Sequence, residues 1–184
     1  MPIQKINKDE IIAKSIEKFR EKGYHKTSME ELARECGLQK GSFYYYFDSK
    51  EELMKASLIA VLQYFREKVF SIAYNEDLMP RERLRKMGEK MMRITTKNNH
   101  GCFIGNVTLE TANQVPVFQE LLRTYFEEWT KALAHIYESK YQQEYAYQLG
   151  QQSVMEIEGA IMIMKLTANH QLLKDCYERI INKI

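Results

Sequence analysis

The sequence predicts an all-α fold of about nine helices in two units, residues 1–50 and 51–184. Three observations carry that expectation. Proline and glycine are scarce, 3 and 8 in 184 residues, whereas Leu, Met, Lys, Glu and Gln, which lose little rotamer freedom in a helix, are plentiful. Apolar residues recur at the helical i, i+3, i+4, i+7 spacing rather than alternating. Each periodic run is also bounded by caps and glycine stops.

The elements follow in order. Asn7 with Glu10 resembles a capping box, Ile12, Ile16 and Phe19 continue at helical spacing, and Gly23 supplies a stop. Thr27 or Ser28 caps a second helix whose Met29, Leu32, Ala33 and Cys36 share one face, and Gly37 ends it. A third helix is expected from about Gln39 to Phe47, and Asp48 or Ser49, with Glu51 and Glu52, opens a fourth. Two short helices joined by a glycine turn and packed on another make a helix-turn-helix. Helix four runs long, because Met54, Leu58, Val61, Leu62, Phe65 and Val69 extend one stripe beyond the small first unit, so it links the two.

Asn75–Met79 is a polar break, and Pro80 suits the first turn of helix five, which carries Leu84, Met87, Gly88 and Met91. Residues 97–106, KNNHGCFIGN, read as a second break, followed by a short helix over Val107–Asn113. Pro116 starts a long helix with Phe118, Leu121, Leu122, Tyr125, Trp129, Ala132 and Ile136. The last pair is expected at about Glu144–Ala168 and Gln171–Ile181.

Composition narrows the function classes. No apolar run approaches the roughly 20 residues of a membrane span, and Met1–Lys8 lacks the pattern of a signal peptide. A soluble, cytoplasmic protein with no membrane partner is expected. Cys36, Cys102 and Cys176 are widely spaced without a Cys-x-x-Cys pair, and His25, His100, His135 and His170 lack metal-ligand spacing. No dinucleotide glycine motif or phosphate loop is present. These absences imply no metal, no cofactor and no catalytic residues. The formal charge is only +2, with 9 Lys and Arg against 5 Asp and Glu in residues 61–100 and 7 against 10 in residues 101–184. Binding to a polyanion would therefore depend on placed residues rather than on bulk charge.

GSFYYYF, residues 41–47, offers such a placement. In a helix with Phe43 inward, Phe47 lies about 40° away and Tyr46 about 60° to the other side, whereas Tyr44 and Tyr45 fall about 100° and 200° away. Gln39, Lys40, Gly41, Ser42, Tyr44 and Tyr45 then make an outer face of amide, ammonium, hydroxyl and phenol groups. Gly41 removes bulk where a large partner would approach. That set suits DNA phosphates and major-groove base edges.

Residues 8–54 resemble the N-terminal domain of the TetR family of bacterial transcriptional regulators, through F..KGY..TSMEELA and G..KGS.Y.YF.SKEEL at the family's spacing. The resemblance covers about a quarter of the chain. It implies a homodimeric DNA-binding regulator, commonly a repressor, released from its operator by an inducer. It also implies that Thr27 and Ser28 touch the DNA backbone, that Gln39, Lys40 and Ser42 approach bases or nearby phosphates, and that Tyr44, Tyr46 and Lys50 hold phosphates. Departures occur at Leu38, Gln39, Phe43, Tyr45 and Asp48, the last beside the Lys50 contact. A thiol-dependent redox enzyme or a helical ligand carrier without DNA binding is the rival reading.

Small residues among large apolar ones in the last two helices read either as tight packing within the chain or as a dimer seam. The resemblance, which implies a four-helix bundle between subunits, favours the seam. Its expected members are Gly150, Ser153, Ile157, Ile161, Met164, Leu173, Cys176, Tyr177 and Ile180. Two recognition helices about 34 Å apart would then read successive major grooves of a palindrome.

For the inducer, Met87, Met91, Phe103, Tyr125, Trp129 and Met155 are candidates to line a cavity, or else are plain core. HGCFIGN resembles the Gly-Cys-x-x-Gly-Asn segment of a TetR branch containing cysteine sensors of oxidants or electrophiles, which draws in His100, Cys102 and Asn106. A preceding glycine, His100 and a following helix start are circumstances that lower a thiol pKa, while a cysteine beside Phe103 is equally a small buried hydrophobe. Lys165, the lone charge in GAIMIMKLTA, either reaches solvent or faces a cavity near Cys102.

Overall fold

The computed structural model describes residues 6–184. They form nine α-helices: α1 Lys8–Lys22, α2 Met29–Glu35, α3 Lys40–Tyr44, α4 Lys50–Lys68, α5 Pro80–Thr96, α6 Phe103–Thr111, α7 Pro116–Tyr137, α8 Gln143–Thr167 and α9 Gln171–Ile181. Short 3-10 turns at Phe70–Tyr74 and Lys97–Asn99 follow α4 and α5.

The caps act as read. Asn7 Oδ1 accepts from the Glu10 N–H at 2.8 Å, and Glu10 returns an acceptor to the Asn7 N–H. At α2 the cap is Ser28, whose Oγ accepts from the Glu31 N–H at 3.2 Å while the Glu31 carboxylate accepts from the Ser28 N–H at 3.0 Å. Ser49 caps α4 through the Glu52 N–H at 3.0 Å. Each such cap stabilises its helix by about 1 kcal/mol. Gly23 and Gly37 stop α1 and α2 with φ of +86° and +69°, a region that side-chain-bearing residues avoid.

Phe43 and Phe47 are fully buried, as the angular argument requires. The third helix is shorter than expected, however. After Tyr44 the chain tightens, with the Tyr46 N–H donating to Phe43 O at 3.0 Å, so that Tyr45 and Tyr46 form a turn. α4 buries Met54, Leu58, Leu62 and Phe65 and packs against both α1 and α7, so it belongs to both units.

The helix expected at Val107 begins four residues earlier, at Phe103. Two glycines and the lack of Ser, Thr, Asp or Asn at the start disguised it. Cys102 is the cap instead, its Sγ accepting from the Gly105 N–H at 3.3 Å.

The larger unit is built on α7 packed along α8, with α9 between α8 and α5. All nine residues expected at a dimer seam are buried inside the chain, which corrects that assignment. The small residues do permit close helix approach, but the neighbour is α7 of the same chain. A Cβ on Gly150 would stand 2.7 Å from Thr130 O, and Ser153 Oγ shares a 2.9 Å hydrogen bond with the Tyr137 hydroxyl. On α9, Tyr177 lies against Gly88 of α5, where a Cβ would meet the ring at 2.7 Å.

Candidate nucleic-acid interface and effector cleft

Gln39, Lys40, Gly41, Ser42, Tyr44 and Tyr45 are all exposed on one end of the molecule, Tyr45 to 87%. A Cβ on Gly41 would have no neighbour within 4 Å, and its φ is not in the left-handed region. Neither packing nor backbone geometry within the chain calls for glycine there.

Beside this face, Ser28, Lys40, Tyr44 and Lys50 line a shallow cleft of about 420 Å³, together with His25 and Lys26, which the sequence reading passed over. Three of the expected contacts have other tasks. Thr27 is buried, and its hydroxyl donates to Gly23 O at 2.7 Å. Tyr46 is largely buried, with its phenol donating to Ile6 O at 3.1 Å. Lys50 Nζ donates to Tyr24 O at 2.8 Å and Thr27 O at 2.9 Å and stands 4.4 Å from the Tyr24 ring centroid. Burial lowers the Lys50 pKa. The competitor for its ammonium is thus the backbone before α2, rather than Asp48. Thr27 and Lys50 brace the segment between α1 and α2 that borders the cleft, and Tyr46 ties the end of α3 to Ile6.

Besides the Lys97–Glu17 ion pair and the Tyr24–Phe118 ring contact, two hydrogen-bonded ties join this unit to the larger one at the two ends of α6. Arg20 of α1 is buried, and its guanidinium donates to Ile94 O at 2.9 Å and Gly101 O at 3.0 Å, immediately before α6. At the far end of α6 the His25 N–H donates to the Glu110 carboxylate at 3.2 Å, and His25 Nε2 lies 3.2 Å from Glu110 O. A charged group bonded to buried carbonyls cannot leave them without stranding them.

Between α6, α7 and α8 lies a largely apolar cleft of about 420 Å³. Cys102, Asn106 and Lys165 of the candidate set line it, together with Thr108, Leu109, Phe126, Glu158 and Met162, which that set does not contain. A smaller cavity of about 220 Å³ lies behind it, walled by Arg20, Phe65, Cys102, Phe103 and Tyr125. Met87, Met91 and Trp129 are core residues and Met155 is exposed on the outside of α8, so these four leave the expected ligand set. Lys165 resolves its two alternatives at the rim: it is exposed, and Nζ reaches Asn106 Oδ1 at 3.4 Å. Asn106 in turn donates to His100 O at 3.0 Å. His100 belongs to a different groove, with Glu17 and Glu21 of α1.

Every residue of GCFIGN therefore has a local cause. Gly101 adopts φ +75°, Cys102 caps α6, Phe103 and Ile104 are core, Gly105 leaves room for the Glu158 carboxyl, and Asn106 anchors the loop. Of the two alternatives for Cys102, its surroundings favour the small buried hydrophobe. Burial pushes its thiol well up, Glu158 adds to this, and the Gly105 N–H opposes them only in part. A helix start lowers a thiol pKa most where water also solvates the thiolate, and Cys102 is only 6% exposed. At neutral pH Cys102 is expected to react with iodoacetamide at least about tenfold more slowly than a free cysteine, read by peptide mass spectrometry. A rate matching the free thiol would contradict this geometry.

The outer face of α8 carries Met155, Met162 and Leu166, exposed to 65%, 58% and 82%, with Gly159 among them and no atom within 4 Å of its missing Cβ. The spacing of 4, 3 and 4 residues puts all four on one stripe. Gly159 and Met162 also border the cleft. Among the described residues no helix is long and apolar enough to cross a membrane, and no cluster suits a metal ion.

Comparison with known proteins accords with this architecture. The description "Bacterial regulatory proteins, tetR family" matches residues 11–57, and "Transcriptional regulator LmrA/YxaF-like, C-terminal domain" matches residues 80–179. The chain is 43% identical over 65 residues to the uncharacterized HTH-type transcriptional regulator YuxN of Bacillus subtilis, covering 35% of this chain and 21% of that one. It is 25% identical over 188 residues to an uncharacterized HTH-type transcriptional regulator in the lacX 3' region of Lactococcus lactis, covering 94% of each. The match thus spans about a fifth of YuxN but nearly all of the Lactococcus protein. A TetR transcriptional regulator from Legionella pneumophila shares the fold with a TM-score of 0.89 at 21% identity, over 99% of this chain and 100% of that one.

Proposed function

The chain belongs to the TetR family of bacterial transcriptional regulators, and from that premise we propose that a homodimer of it represses transcription by occupying a palindromic operator until a small molecule enters the cleft. Gln39, Lys40 and Ser42 reach base edges or adjacent phosphates, and Lys26, Ser28, Tyr44 and Tyr45 hold the backbone on either side. Lys50, Thr27 and Tyr46 act behind them as positioning residues.

The observation that carries the DNA reading is Gly41. A glycine within a helix costs about 1 kcal/mol relative to alanine, and no neighbour inside the chain asks for it. The demand then comes from outside, as close approach of a duplex. Gly41→Ala is expected to raise the melting temperature of the free protein while weakening binding to genomic fragments selected by the wild type at least about tenfold, or about 1.4 kcal/mol. Those fragments should contain an inverted repeat with half-sites about 34 Å apart or a multiple of it. Unchanged affinity in the variant would remove the main support for this face as the reader.

The α8 stripe supplies the dimer contact in place of the residues first expected. A second copy laid on Met155, Gly159, Met162 and Leu166 would cover the open side of the cleft, because Gly159 and Met162 border both. Effector binding and subunit arrangement then share one wall. A ligand acts only through its different affinity for the two arrangements, and the Arg20 and His25 ties supply a route from the cleft to α1. Occupancy by a ligand is preferred to thiol modification because Cys102 is buried and its pKa is raised.

A further inference from the structure

The wall of the cleft and the core of the same unit hold more polar atoms than the described residues satisfy. Glu158 of α8 projects its carboxyl under α6, where one oxygen would stand 2.6 Å from a Cβ on Gly105. The other, Oε1, is buried with no hydrogen-bond partner among the described residues. The hydroxyls of Tyr125 on α7 and Tyr177 on α9 are likewise buried and unpartnered, in side chains 0% and 6% exposed. Tyr125 walls the smaller cavity, which shares Cys102 with the cleft that Glu158 lines. Native chains seldom leave such atoms unpaired without a reason, and at the wall of the cleft it is Glu158 Oε1 that the described residues leave without a partner.

Resting on the reading of this cleft as the effector site, we propose that its ligand is an amphipathic organic cation, a protonated amine on a flat or branched apolar body, whose nitrogen donates to Glu158. The groups facing that carboxyl are the Cys102 thiol from the start of α6, the Tyr125 and Tyr177 phenols from α7 and α9, and Lys165 on α8 itself. Lys165 is the only basic residue among the described cleft residues. Its ammonium is exposed at the rim and held by Asn106, so water and salt screen it. The Glu158 carboxyl is more deeply buried, with one oxygen out of contact with solvent, and is screened less. An anion at the rim would leave the inner carboxyl unpaired, whereas a cation reaching inward pairs it.

Burial raises the Glu158 pKa, which disfavours the carboxylate form in the empty site. An arriving ammonium ion reverses that preference, and the carboxyl proton passes to solvent as the ion pair forms. Leu109, Phe126, Ile161 and Met162 give the body of the ligand an apolar bed, with Phe126 able to lie against the cation. About 420 Å³ falls within the range of small-molecule sites.

Calorimetry on the intact protein with naphthylethylamine, naphthylethanol and naphthylacetate, in two buffers of different ionisation enthalpy, tests the charge. The amine should bind at least about tenfold more tightly than the alcohol or the acid, and it should release protons on binding, up to about one per bound molecule, in a proportion that grows as the pH is lowered toward the raised Glu158 pKa. Glu158→Gln, which keeps shape and volume, should lose both the preference and the proton release while melting near the wild type. Equal or tighter binding of the alcohol or acid, no binding of the amine, or an unchanged preference in Glu158→Gln would each overturn the proposal. The proton count on unaltered protein needs no variant to fold. Whether the cleft controls DNA is read separately, as operator release by whichever probe binds.

Discussion

Replacing Met162 and Leu166 together by glutamate is expected to leave a folded monomer that no longer holds its operator. Both side chains are more than half exposed in the single chain, so neither change removes a core contact, and the unfolding free energy should move by no more than about 1 kcal/mol. At a seam between two copies of α8 the same changes place four like charges face to face. Burying an unpaired carboxylate costs several kcal/mol, enough to shift a dimer constant by about a thousandfold or more. Losing the second reading head then removes the effective concentration that links the two half-sites, a factor of about 10²–10⁴. Analytical ultracentrifugation and a DNA shift assay at one fixed salt concentration check both parts. A variant that stays dimeric would place the seam elsewhere. A monomer with undiminished operator affinity would end the two-headed reading.

The position of that seam shows where the sequence was legible and where it was not. In residues 6–68 the signals are local: a cap three residues from its partner, a glycine after the last apolar position, phenylalanines four apart. Such signals act within one or two turns, so Asn7, Ser28, Ser49, Gly23, Gly37, Phe43 and Phe47 behave as read. Tyr46 and Lys50 did not, because their partners, Ile6 O and the carbonyls of Tyr24 and Thr27, lie more than 20 residues away in the chain.

The long helices failed in another way. The pattern of α8 correctly signals more apolar surface than one face needs, together with small residues for close approach. Period alone does not say which face meets α7 and which meets a second copy. Gly150 identifies the first through Thr130 O, and the proposed second face is the one with nothing near Gly159. Glu158 was hidden by its neighbour Glu156, an ordinary surface acid 2.6 Å from Arg179. Two residues apart on a helix means about 200° apart, so the pair could not share one exposed face. That angular test was the signal available for Glu158.

Arg20→Met is expected to separate DNA binding from its control. The guanidinium holds Ile94 O near the end of α5 and Gly101 O at the hinge before α6, and Gly101 and Gly105 both border the cleft. A ligand that pushes α6 aside must therefore pull on α1 or break those bonds. Methionine keeps much of the apolar stem but donates nothing, and two stranded carbonyls cost about 1–3 kcal/mol each where water does not replace the donor. The melting temperature should fall by several degrees, while the reading face, which Arg20 does not touch, keeps its operator affinity within about threefold, or about 0.7 kcal/mol.

Coupling between distant sites is reciprocal, so the loss is measurable without any ligand. Operator binding to the wild type should alter amide exchange across residues 101–106, and in Arg20→Met that response should vanish while the bound fraction of DNA is the same. His25 and Glu110 still join the far end of α6 in the variant. An intact exchange response would therefore move the control to that second tie and leave Arg20 a structural group. A loss of operator affinity with the response preserved would mean that Arg20 merely supports the packing of α1.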